Sequence, residues 1–115
     1  EGKLGRKPPQ ALPLEEAVLG AMLLDKDAPV RVLDALIQEV FYHDSHQIIF
    51  AAIKRLFDVG EPVDLLTVTE DLRKAGQLEA AGGAYYITQL TNKVASSANL
   101  EFHAKILLQK YIHQL

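Results

Sequence analysis

The chain has 115 residues, 49% of them hydrophobic and 23% charged, with no cysteine and a net charge of -3. That length and apolar content suit one domain with its own core and exclude an intrinsically disordered chain. Zero cysteine excludes disulfides, thiolate zinc sites, iron–sulfur clusters and thiol nucleophiles, and fits a cytoplasmic protein.

Apolar runs such as residues 18–24 fall far short of the roughly 20 residues of a membrane span, so no membrane partner is expected. No secretory signal pattern opens the chain. Residues 1–12 read as a flexible tail, basic at Lys3, Arg6 and Lys7 and broken by Pro8 and Pro9. Without residues 1–10, 9 basic side chains face 14 acidic ones, a net -5. Such a body suits phosphate neutralisation poorly, which leaves a small helical nucleic-acid-binding domain as the alternative rather than the leading reading.

From Pro13 on, the apolar spacing is helical, and residues 13–97 read as a globular helical domain. In residues 14–24, Leu14, Ala17, Val18, Ala21 and Met22 share a stripe while Leu19 and Leu23 lie nearly opposite, so this helix is buried on two faces. Asp27 and Pro29 announce a second helix with Val30, Leu33, Leu36, Ile37 and Val40 inward. Asp44 or Ser45 caps a third, ending at Gly60. Its wide apolar arc (Ile48, Ile49, Ala52, Ile53, Leu56, Phe57) makes it the expected central helix.

After Gly60-Glu61-Pro62, Thr67-x-x-Glu70 reads as a capping box, with Asp64 as an earlier, competing cap. Val68, Leu72 and Ala75 face inward and Gly76 stops that helix. Gly82-Gly83 precedes a short segment with Tyr85, Tyr86, Ile87 and Leu90, and Ser96 or Ser97 caps the last helix. Only residues 63–68 could tempt a strand, with no partner to pair with. The expected fold is all-α, a compact bundle of about six helices.

The last helix carries two apolar faces. Leu100, Ala104, Leu107, Leu108, Tyr111 and Leu115 form one stripe, with Phe102 and Ile106 roughly opposite. One stripe can pack on the domain; the other needs a following segment or another subunit. The periodic pattern also runs to Leu115 without a stop signal. Residues 98–115 are therefore expected to begin a helical hairpin cut within a longer chain. Phe102, Ile106, Leu107 and Tyr111 are the candidate protein interface.

Chemistry is sparse. The only Gly-Lys pair, Gly2-Lys3, is followed by Leu4, so no phosphate-binding loop exists. His43-x-x-His46 beside Asp44 resembles a metal pair, but a catalytic zinc needs a third protein ligand; a small metal-dependent hydrolase is the weakest reading. Glu15-Glu16 and Glu70-Asp71 are adjacent acids that point apart and read as ordinary complements of the helix dipole. His103 and His113 read as half-exposed surface residues. No catalytic, cofactor-binding or metal residue is assigned.

The order of motifs carries a resemblance. Residues 13–25, Pro-Leu-Glu-Glu-Ala-Val-Leu-Gly-Ala-Met-Leu-Leu-Asp, resemble the opening of bacterial DnaB-type replicative helicases. Phe41-Tyr42-His43-Asp44-Ser45-His46-Gln47-Ile48-Ile49-Phe50, Pro62-Val63-Asp64-Leu65-Leu66-Thr67-Val68, Gly76-Gln77-Leu78, Gly82-Gly83-Ala84-Tyr85-Tyr86 and Ser97-Ala98-Asn99-Leu100 follow with similar spacing. Asp44-Ser45 stands where that family often has a proline. The resemblance implies an N-terminal collar domain active in DNA replication through assembly and docking. It implies self-association as a dimer, a hexameric ring in the parent, and docking of DnaG-type primase. ATP, Mg and single-stranded DNA contacts would belong to a missing RecA-like ATPase part.

Overall fold

The computed structural model describes residues 12–94 and 96–115. Its helices are α1 (Leu12–Leu24), α2 (Ala28–Val32), α3 (Asp44–Asp58), α4 (Leu65–Lys74), α5 (Gly83–Asn92) and α6 (Leu100–Ile112), with a 3-10 turn at Gln38–Val40. No strand occurs among the described residues, so the fold is all-α as expected. Residues 1–11 of the expected tail lie outside the described residues.

Helix α1 begins at Leu12, and Pro13 falls in its first turn, where the absent N–H leaves no bond unmade. Val18, Leu19, Ala21, Met22 and Leu23 are all buried, so the two-faced pattern is a helix covered nearly all round. It packs against α2, α3, α5 and α6. The central helix is therefore α1, not α3. In α3 only Ile49, Ala52 and Ile53 of the expected arc are fully buried, while Ile48, Leu56 and Phe57 lie at its edge.

The second helix is much shorter than its periodicity suggests. It ends at Val32, a turn follows, and Ile37 is extended (φ -124, ψ 160) before the 3-10 turn. Leu33, Leu36 and Val40 are buried as expected, but Val30 and Ile37 are exposed. The break sets Phe41 and His43 in extended conformation beside α1, where the backbone N–H groups of Tyr42 and His43 meet Glu15. A buried carboxylate needs donors, and that tertiary demand outweighs local helix propensity.

The helix ends follow local chemistry in part. Helix α3 closes with Gly60 at φ +78 and a bond from Glu61 N–H to the Leu56 carbonyl; α4 closes alike, with Gly76 at φ +71 and Gln77 N–H on Leu72. Asp64, the earlier candidate, caps α4: its side chain accepts from the Thr67 N–H at 2.8 Å while Thr67 Oγ1 accepts from the Asp64 N–H at 3.0 Å. Val68 and Leu72 are buried, but Ala75 at the C-cap is exposed.

Three caps differ from expectation. Helix α2 starts after Asp27, as expected, but without a side-chain capping bond, and α3 starts after His43 and α6 after Asn99, again with none. Asp44 is already helical, and Ser97 is drawn away to side-chain partners described below.

Candidate protein-interaction surface

Helix α6 is seated by its inner stripe, Leu100, Ala104 and Leu107, all buried. A polar tie fixes its start. Arg31, on α2, donates to both carboxylate oxygens of Glu101 (2.9 and 2.6 Å) and to the hydroxyl and carbonyl of Ser97. Ser97 in turn donates to Asp25 at the end of α1. The Arg31 hydrogen bonds pull the Glu101 carboxyl down to about 2, and the Ser97 hydroxyl lowers Asp25. The fork geometry of guanidinium on carboxylate sets direction as well as attraction, so α6 has one orientation on the domain.

That orientation divides the four candidate interface residues. Phe102 is 63% exposed, with its ring 6.0 Å from that of His103. Ile106, one turn on, is half-buried, and Tyr111 is half-buried against the core edge. Leu107 is fully buried in the domain's own core. Phe102 and Ile106 therefore share the outer side, while Leu107 lies on the inner one. Ile112 and Leu115 are also exposed, Leu115 to 84%, although the periodicity put Leu115 on the core stripe. The core does not extend past Tyr111 to cover it.

A second constellation escaped sequence reasoning. Glu15 and Glu16 are both buried, at 0% and 7% exposure, not surface complements of a dipole. Glu15 accepts from Tyr42 N–H at 2.7 Å and lies 2.7 Å from His46 Nδ1. His46 Nε2 lies 2.6 Å from the Tyr86 hydroxyl, which donates to Glu16 at 2.8 Å. Burial, with Glu16 beside it, holds the Tyr86 phenol well above its ordinary range. Lys93 approaches Glu16 at 3.5 Å from the rim. The adjacent acids do point apart, but His46 and Tyr86 bridge them. The available signal was α1 itself: charges on a helix covered on two faces need buried partners.

The metal reading rested on His43 and His46. His43 and His46 stand with ring centroids 5.2 Å apart and edge to face, and both nitrogens of His46 are engaged by Glu15 and Tyr86. Among the described residues no group of three or more histidines and acids is placed to hold an ion. Two surface hollows share Leu23, Leu24 and Asp64, the larger about 500 Å³, and neither lining contains a histidine. No helix among the described residues is long and apolar enough to cross a membrane.

Residues 7–109 match the family described as DnaB-like helicase N terminal domain. The chain is 53% identical over 111 residues to the replicative DNA helicase DnaB of Rhodothermus marinus, covering 96% of this chain and 12% of that protein. It is 47% identical over 107 residues to that of Geobacillus stearothermophilus, covering 93% and 24%. The chain thus spans less than a quarter of either relative. Its fold is similar to the N-terminal domain of DnaB helicase from Mycobacterium tuberculosis (TM-score 0.85, 42% identity, 92% of this chain and 75% of that one). It is also similar to a DnaB-like replicative helicase whose structure was described with its interactions with primase (TM-score 0.80, 25% identity, 90% and 24%). By sequence and by fold, this chain belongs to the DnaB-like helicase N-terminal domain family.

Proposed function

We propose that this domain is an assembly and docking module of a replicative helicase and performs no catalysis of its own. The observation that carries this reading is the outer face of α6. Phe102 and Ile106 lie one turn apart there, with Ile112 and Leu115 exposed further along, while Val59, Leu66 and Tyr85 are exposed singly on other elements. Apolar side chains grouped on one helix are covered when subunits assemble, and large exposed aromatics are the usual anchors. Residues 98–115 act as the first limb of a helical hairpin whose other limb and sister subunit cover that face. Tyr111 borders it, and Leu107 supports it from the core side.

The first partner is a second copy of the chain, and a hexameric ring forms in the parent. Primase is the second partner, supported by the likeness to the helicase described with its primase interactions. ATP, Mg and single-stranded DNA are handled by a part of the parent outside these residues; Gly2-Lys3-Leu4 offers no phosphate loop here. A cytoplasmic location goes with this reading.

Sedimentation of this chain beside a form extended by the hairpin tests the reading. Stronger self-association of the longer form, together with binding of cognate primase, is expected. Strict monomers in both forms and no primase binding would overturn it.

A further inference from the structure

The chain Glu15–His46–Tyr86–Glu16 contains three short contacts, of 2.7, 2.6 and 2.8 Å. Each needs one hydrogen between its two heavy atoms. The Tyr86 hydroxyl supplies one and a neutral imidazole supplies another, while two ionised carboxylates supply none. Two hydrogens over three contacts would leave a pair of acceptors facing each other, with His46 and Glu15 fully buried. We propose that the folded domain holds one further proton in this cluster, carried by His46 as an imidazolium between Glu15 and Tyr86.

The surroundings place the proton on the ring rather than on either acid. Glu15 accepts from the Tyr42 N–H on its other oxygen and sits in the first turn of α1, where the helix dipole favours an anion. Glu16 accepts from Tyr86 and faces Lys93. With His46 charged, two carboxylates and two cations sum to zero; with His46 neutral, a negative charge is left uncompensated in the core, which is costly. The other titratable groups placed against the cluster are His43, its ring edge-on to His46, and Tyr42 behind it. The cluster joins α1, α3 and α5, so the proton clamps three helices.

A free imidazole gives up its proton near pH 6.5. Glu16→Gln is the informative variant. Its amide supplies the missing hydrogen to Tyr86, Tyr86 turns to donate to His46, and all three contacts close with a neutral ring.

The test is a two-bond proton–nitrogen correlation spectrum of the histidine rings, recorded on the whole labelled chain at about pH 7.5, where a free ring is mostly neutral. Protonation of both His46 nitrogens is expected in the native sequence, and of one nitrogen in Glu16→Gln. One bare nitrogen in the native sequence overturns the proposal, and this holds even if Glu16→Gln does not fold.

Discussion

Gly20 of α1 lies against the backbone of Leu90 in α5: a Cβ added to Gly20 would stand 2.2 Å from the Leu90 carbonyl oxygen. The two helices touch main chain to main chain, and only a missing side chain permits it. The neighbour is backbone inside a helix and cannot swing aside.

Gly20→Ala therefore has a sign opposite to helix propensity. Alanine gains about 1 kcal/mol over glycine inside a helix, yet overpacking a rigid contact costs about 1–3 kcal/mol, and forcing α1 from α5 also disturbs the Glu16–Tyr86 bond. A net loss of stability is expected, seen as a lowered Tm in thermal unfolding followed by circular dichroism.

The tie between Arg31 and Glu101 predicts an acid limb. Glu101 titrates at about 2 in the folded chain, against an ordinary 4.5, so its contribution is complete above 4.5 and fades as pH falls toward 2. Asp25, lowered chiefly by Ser97, acts in the same direction. Glu101→Gln should flatten the stability profile across that acid window. Hydrogen exchange near neutral pH should show Arg31→Met loosening the start of α6 before other helices.

Among the described residues, Asp64 is the one side chain that caps a helix together with a reciprocal partner. Replacing it with alanine should cost about 1 kcal/mol, the usual loss for a working N-cap. Thr67→Ala should cost less, because the Thr67 N–H keeps its acceptor. Urea midpoints of the two variants give the comparison.

The two sides of α6 should separate stability from assembly. Leu107→Ala empties a fully buried site and should cost about 2–5 kcal/mol. Phe102→Gln alters an exposed position and should leave stability within about 0.5 kcal/mol. Only the second should weaken association between folded chains, measured by sedimentation.

Local patterns that depend on near neighbours in the chain were legible. The periodicity placed six helices, Gly60 and Gly76 marked left-handed exits, and Asp64 stood among the possible caps. What depended on distant partners was not. Nothing near residues 33–37 breaks a helix; the chain turns there because Glu15, far back in sequence, needs the Tyr42 N–H. Ser97 looked like a cap until Arg31 and Asp25 claimed it. Leu115 continues the inner stripe by angle alone, but the core ends before reaching it. For the candidate surface, the sequence identified two apolar faces on the last helix, and the fold decided that Leu107 turns in and Phe102 out.

In the proposed assembly the outer face of α6 holds subunits together. Sedimentation equilibrium of the parent helicase, native and with Phe102→Gln and Ile106→Gln combined, addresses it most directly. A ring-sized assembly is expected for the native protein and dissociation toward smaller species for the variant, with the domain still folded. An unchanged assembly in the variant would contradict it.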